Sequence, residues 1–238
     1  MNECQARERE LRALGTRLGI PIHEVDFFDR ALTHASIVAE SGEVTHDYES
    51  LEFLGDAVLG LATAHHLFEA LPDRTPGEYS RMRAGLVNRH SVARVARLLD
   101  IAPTIRLGKG EESSGGRERS ALIADCLEAL IGAIYLDSGW SVAREFIVRV
   151  FDREFDRARK TNVVWDYKSR LQNHCQAERM PLPRFELVRS EGPDHQKEFE
   201  VEVFVRGQPF GCGKGSTKKE AEQNAAREAL TKEGLHFD

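Results

Sequence analysis

The chain has 238 residues, enough for one large domain or for one medium and one small domain, each with a core of its own. Hydrophobic residues are 41% and charged residues 30%, an ordinary globular balance, and no apolar run approaches the roughly 18 residues that span a bilayer. The 33 basic and 39 acidic residues give a net charge of −6, split as 21 against 26 up to Thr161 and 12 against 13 beyond it; a basic coat is excluded, and any phosphate-binding surface must be local.

The N-terminal stretch MNECQARERELRALG is charged and helical in pattern, without the apolar segment or cleavage site of a secretory signal, so a cytoplasmic protein is expected. Cys4, Cys126, Cys175 and Cys212 lie far apart, match no zinc or redox spacing and fit a reduced compartment. From about residue 5 to 160 apolar residues recur every three or four positions, with Pro and Gly between segments. Helices are expected over Gln5 to Leu18, Phe27 to Thr33, Tyr48 to Leu71, Glu78 to Leu99, Ser120 to Asp137 and Ser141 to Lys160, with a loop at IRLGKGEESSGGRERS.

Beyond Lys160 the period changes. A short helix, Asp166 to Ala177, precedes a strand in PLPRFELVRS and a second in EFEVEVFVRG, where Phe199, Val201, Val203 and Val205 alternate mostly with glutamates. A third strand from Gln208 to Gly213 leads into an Ala-rich helix with Ser216 or Thr217 as N-cap. The expected architecture is multidomain: an all-α domain over 5–160, a linker over 161–165 and a small α+β domain of order α-β-β-β-α over 166–235.

Within Tyr48 to Gly60, Glu49, Glu52 and Asp56 fall at helical positions zero, three and seven and share a face, with Leu51, Leu54, Val58 and Leu61 opposite. By itself this is an amphipathic helix with a solvated stripe. The segment from Ala121 to Ile134 differs, because it is apolar all round except for Asp125 and Glu128. Such a helix is buried, and two carboxylates buried on one face without a nearby Lys or Arg favour a metal. If the two helices pack together, Glu52, Asp56, Asp125 and Glu128 form an all-oxygen cluster suited to Mg²⁺ or Mn²⁺ and to phosphodiester chemistry. No nucleophile elbow, His-Glu-x-x-His or Cys/His pairing offers an alternative, and GCGKGST is no nucleotide loop, since Gly215 separates Lys214 from Ser216.

Three segments, Ala31 to Ser36 (ALTHAS), Glu49 to Asp56 and Asp125 to Leu136, resemble the signature stretches of ribonuclease III in order and separation. The resemblance implies a cytoplasmic, homodimeric endonuclease of double-stranded RNA that needs Mg²⁺, with Mn²⁺ substituting, and no membrane or nucleotide cofactor. It would leave 5′-phosphate and 3′-hydroxyl ends with short 3′ overhangs while processing ribosomal RNA precursors, structured messenger RNA and transfer RNA. It further implies that Glu52, Asp125 and Glu128 ligate metal, that Asp56 and Glu128 are catalytic, and that Glu49 helps position RNA. Phe53 would be a knob inserted into the partner subunit; as a sequence feature alone it reads better as an ordinary core aromatic, and only the resemblance shifts that balance. One departure stands at Arg74 to Ser80, where Pro76 occupies the place of an auxiliary Glu; the sequence leaves open whether Glu78 substitutes.

Residues 162–232 resemble the double-stranded RNA-binding domain. That resemblance puts Gln172 and Gln176 at one minor groove, Pro193 and His195 of the Gly192 to His195 loop at the next, and Lys214, Thr217, Lys218 and Lys219 on the phosphates between them. Without it, Lys218 and Lys219 read as a solvated first turn. A non-catalytic double-stranded RNA-binding protein, or a structural ribosome-associated dimer on this scaffold, is the alternative to the enzyme; the four core carboxylates favour the enzyme.

Overall fold

The computed structural model describes residues 3–41, 46–72, 74–161, 167–193 and 197–234, which include neither the expected linker at 161–165 beyond Thr161 nor His195. Its contacts divide the chain into two units, Met1–Lys160 and Thr161–Asp238. The first is helical: α1 (Glu3–Leu18), α2 (Val25–Ala31), α3 (Ala35–Ser41), α4 (Glu49–Ala70), α5 (Pro76–Leu86), α6 (Arg89–Leu98), α7 (Lys109–Ser113), α8 (Ser120–Val150) and α9 (Asp152–Thr161). Among the described residues no helix is long and apolar enough to cross a membrane.

The core gathers on α8. Leu122, Ile123, Ala124, Cys126, Leu127 and the run from Ala129 to Ile134 are all buried, as expected of a helix apolar on every side. Against it pack Leu51, Val58, Leu59 and Ala62 of α4, Val92, Ala93, Val95 and Ala96 of α6, and Phe28 of α2. α8 carries a bend at Gly139, whose positive φ of 80° falls where the sequence pattern is interrupted.

Several local features differ from expectation, among them a break after Val150 that divides the helix expected from Ser141 to Lys160. The single helix expected from Glu78 to Leu99 is two, because Asn88 adopts extended backbone and its side-chain oxygen accepts the Ser91 amide at 3.0 Å, starting α6 anew. The Gly/Ser-rich loop contains α7 and a 3-10 turn, Gly116–Glu118; Glu40 accepts the Lys109 and Gly110 amides at its start. Leu61, placed on the buried face of α4, is exposed.

The second unit contains α10 (Tyr167–Ala177), β1 (Arg184–Glu191), β2 (Glu198–Val205), β3 (Gln208–Gly215) and α11 (Lys218–Lys232). The strands form an antiparallel sheet of order β1-β2-β3. Val201, Val203 and Val205 face the helices and close a core with Tyr167, Leu171 and Cys175 of α10 and Ala221, Ala225, Ala226, Ala229 and Leu230 of α11. Alternate glycines on β3 let α11 lie directly on the sheet: a Cβ on Gly213 would overlap the backbone at Ala225 and Ala221.

Candidate active site and nucleic-acid interface

The site is built by the crossing of α4 and α8. A Cβ on Gly55 would overlap the Glu128 carbonyl, and one on Gly132 the Leu51 carbonyl, each closer than the 3.0 Å that real Cβ atoms keep. Only glycine at both positions permits so close a backbone approach. Residues one or two turns away on each helix are thereby brought together: a carboxylate oxygen from each of Glu52, Asp125 and Glu128 lies within 4.8 Å of the others. Asp56, exposed and one turn beyond Glu52, stands outside this triad but acts on Glu128 as the largest charge influence.

The start of α4 is fixed separately. Asp47 accepts the Glu49 amide at 3.0 Å, and the Tyr48 amide donates to Thr33 O at 3.0 Å. Thr33 bridges Arg106, and Ser36 accepts the Gly108 amide at 2.8 Å, so the ALTHAS segment is a brace that sets α4 and the α7 loop against each other. Its His34 ring lies 5.7 Å from the ring of Tyr48 and favours the charged form of Asp125.

Crowding leaves the carboxylates short of positive charge. The Glu128 carboxyl is pushed up to about 8, first by burial and then by Asp56, Asp125 and Glu52. Glu52 is raised by burial and by Asp125 and Glu49, and Asp125 is raised by burial. The Tyr48 hydroxyl and the buried Cys126 thiol are also driven up, chiefly by desolvation, and stay neutral. The donor set fits a hard divalent cation: all oxygen, half-buried, and with one ligand atom from each of the three residues within 4.8 Å of the others.

Sequence reasoning missed one participant. It expected no nearby Lys or Arg, yet Arg89 Nη2 lies 3.9 Å from Asp125 Oδ1 and favours the charged forms of Glu52, Asp125 and Glu128. Reading residues 78–99 as one helix hid it, since only the break at Asn88 puts Arg89 in a first turn facing α8. Asn88 as a cap was the signal available. Pro76 is the first residue of α5. Glu78 accepts the Thr75 amide at 2.8 Å through one carboxylate oxygen while its own amide donates to Thr75 Oγ1, a capping box, and its other oxygen lies 3.5 Å from Arg74.

In the second unit, Gln172 is half-buried and Gln176 exposed, one turn apart on α10, and Pro193 is exposed after β1. Thr217, rather than Ser216, caps α11, accepting the Glu220 amide at 3.1 Å. Glu220 in turn accepts the Ser216 hydroxyl at 2.6 Å and the Ser216 amide at 2.8 Å, which hold its carboxyl low, and its charge offsets the two lysines of the first turn. Lys218 and Lys219 are exposed, and Lys214 Nζ lies 3.9 Å from Glu200.

A family model described as Ribonuclease-III-like matches residues 24–153, and one described as Double-stranded RNA binding motif matches residues 167–233. The chain is 44% identical over 225 residues to Ribonuclease 3 of Thermobifida fusca, covering 94% of this chain and 92% of that one. It is 42% identical over 225 residues to Ribonuclease 3 of Desulforamulus reducens, with the same coverage. The nuclease domain of ribonuclease III from Campylobacter jejuni is similar in structure, with a TM-score of 0.56 and 35% identity over 60% of this chain and 96% of that one. Dicer from Pichia stipitis shares the fold at a TM-score of 0.50 and 22% identity, covering 89% of this chain and 95% of that one.

Proposed function

This chain belongs to the ribonuclease III family and is an endoribonuclease carrying a double-stranded RNA-binding domain, and from that premise we propose that Glu52, Asp56, Asp125 and Glu128 form its cleavage site. The convergence of three carboxylates from α4 and α8 within 4.8 Å carries the proposal.

Glu52, Asp125 and Glu128 would hold divalent metal, Mg²⁺ with Mn²⁺ able to replace it. When bound, the metal makes water more acidic and neutralises charge on the phosphate. Asp56 and Glu128 are the catalytic pair: in metal-free protein burial and its acidic neighbours push the Glu128 carboxyl up to about 8, and Asp56 stays exposed at the edge of the triad. Glu49, at the solvent end of the same α4 face, helps position RNA. Hydrolysis leaves 5′-phosphate and 3′-hydroxyl ends with short 3′ overhangs.

The second unit reads a duplex by shape. Gln172, Gln176, Pro193 and His195 meet minor grooves, and Lys214, Thr217, Lys218 and Lys219 meet the phosphates between them. Recognition of this kind needs a basic edge and not a basic protein, which reconciles it with the net charge of −6.

The working species is a homodimer. Phe53 is 81% exposed, and with Leu61 at 59% and Phe68 at 69% it forms an apolar stripe on one face of α4, the kind of surface a partner covers. The Campylobacter jejuni nuclease domain has a region involved in dimer formation. The setting is the cytoplasm, and the substrates are ribosomal RNA precursors, structured messenger RNA and transfer RNA.

The test is incubation of the purified protein with a long perfect RNA duplex in Mg²⁺, Mn²⁺ or EDTA, with products resolved on a denaturing gel. Short fragments in either ion and none in EDTA are expected. Tight binding without cleavage in both ions would overturn the assignment.

A further inference from the structure

We propose that Arg89 is a phosphate-binding residue of the cleavage site, its guanidinium gripping the RNA backbone beside the carboxylates of Glu52, Asp125 and Glu128. The inference rests on the reading of those carboxylates as the cleavage site and adds a substrate contact to it.

The placement of Arg89 comes from the helix break. Asn88 accepts the Ser91 amide at 3.0 Å and donates its side-chain amide to the Gly85 carbonyl at 2.5 Å, which fixes where α6 begins. Arg89 is its first residue, and Nη2 reaches to 3.9 Å from Asp125 Oδ1. That distance is within ion-pair range and beyond a hydrogen bond, so the guanidinium leans on the carboxylate without committing a donor to it. The Arg89 side chain is 68% exposed and that of Asp125 18%, so the arginine stands on the solvent side of the cluster.

Two consequences follow from charge and shape. RNA approaching the cluster meets the acidic groups of Glu49, Glu52, Asp56 and Asp125 around Glu128, which repel a polyanion, and a cation at their rim offsets this where the backbone must come closest. Arginine also presents a planar fork of N–H donors that matches two phosphate oxygens, which a lysine cannot reproduce. As a stabilising ion pair the contact is worth little at this exposure.

The experiment measures duplex-RNA binding across a salt series in EDTA, and steady-state cleavage in Mg²⁺, for the full-length wild type, Arg89→Ala and Arg89→Lys. Arg89→Ala is expected to melt like the wild type, to raise KM about tenfold with kcat changed far less, and to lower the slope of log K against log salt by roughly 0.9, the value of one phosphate contact. Arg89→Lys should recover the slope and only part of the affinity. Unchanged KM and slope in Arg89→Ala would overturn the inference. So would a change confined to the Mg²⁺ requirement or the pH profile at an unchanged slope, because Arg89 would then only balance Asp125. Wild-type cleavage, compared with Glu128→Gln, is the separate control on the cleavage-site reading; if that reading fails, the salt slope still decides whether Arg89 touches phosphate.

Discussion

Gly55 of α4 and Gly132 of α8 pass each other so closely that the position of a Cβ on Gly55 lies 3.0 Å from the Gly132 amide nitrogen and overlaps the Glu128 carbonyl. The separation of the carboxylates is set by this crossing. Gly55→Ala should push the helices apart, destabilise the protein by about 1–3 kcal/mol and lower cleavage by roughly 100-fold in the fraction that remains folded. Thermal melting with cleavage assays on the same samples checks this; near-normal activity would show that the crossing does not set the site.

Glu128 gives a pH dependence with a defined sign. Its folded-state value of about 8 lies above the ordinary 4.5, so between those values the folded protein holds a proton that the unfolded chain has lost. Metal-free protein should therefore lose stability as pH rises from about 5 to 8 and level off above, while added Mg²⁺ should bind more tightly across the same range because it displaces that proton. Glu128→Gln should abolish cleavage, keep RNA binding and flatten the metal-free stability profile. Melting curves at several pH values, with and without Mg²⁺, decide the point; full activity in Glu128→Gln would remove the residue from the site.

Glu154 is buried on α9, accepting from Arg94 Nη2 at 2.6 Å and Arg157 Nη1 at 2.8 Å. Arg94→Met strips a partner from a carboxylate that cannot rehydrate and should cost about 2 kcal/mol; Glu154→Gln leaves two partly exposed arginines that can, and should cost less. Chemical denaturation gives the order of the two, and the reverse order would count against this account.

Replacing both Lys218 and Lys219 with Ala should weaken duplex binding and reduce the salt slope by about 1.8, two phosphate contacts, with little change in melting temperature because both side chains are exposed. Fluorescence anisotropy over a salt series measures it. An unchanged slope would return the lysines to a solvated first turn.

Phe53→Ala should leave the subunit folded, since the ring is 81% exposed within one chain, yet shift the protein toward monomer by about tenfold or more in dissociation constant. Sedimentation over a concentration series reads this directly.

Much of the fold was legible in the sequence because it is carried by periodicity. The change from a three-to-four-residue spacing to alternation after Lys160 gave the all-α and α+β parts, and the apolar girdle around Asp125 and Glu128 marked α8 as the central helix. Local breaks were less legible. One side-chain oxygen on Asn88 splits residues 78–99 into two helices, and nothing in the apolar pattern registers a single cap. Phe53 shows the limit most plainly: from sequence alone it read better as a core aromatic than as a surface knob, and the packing of α4 on α8 leaves it outside.

By itself the sequence determined which residues carry charge in otherwise apolar surroundings, because placing Asp125 and Glu128 on such a helix costs free energy that needs a local reason. What the tertiary structure decided is their company. Two glycines with no side chains let α4 approach α8, bringing Glu52 into the triad and leaving Asp56 at its edge, while the Asn88 cap that starts α6 sets Arg89 against Asp125. Distances between helices depend on the atoms that meet at the crossing, and residues 77 positions apart at Gly55 and Gly132 have no local pattern that links them.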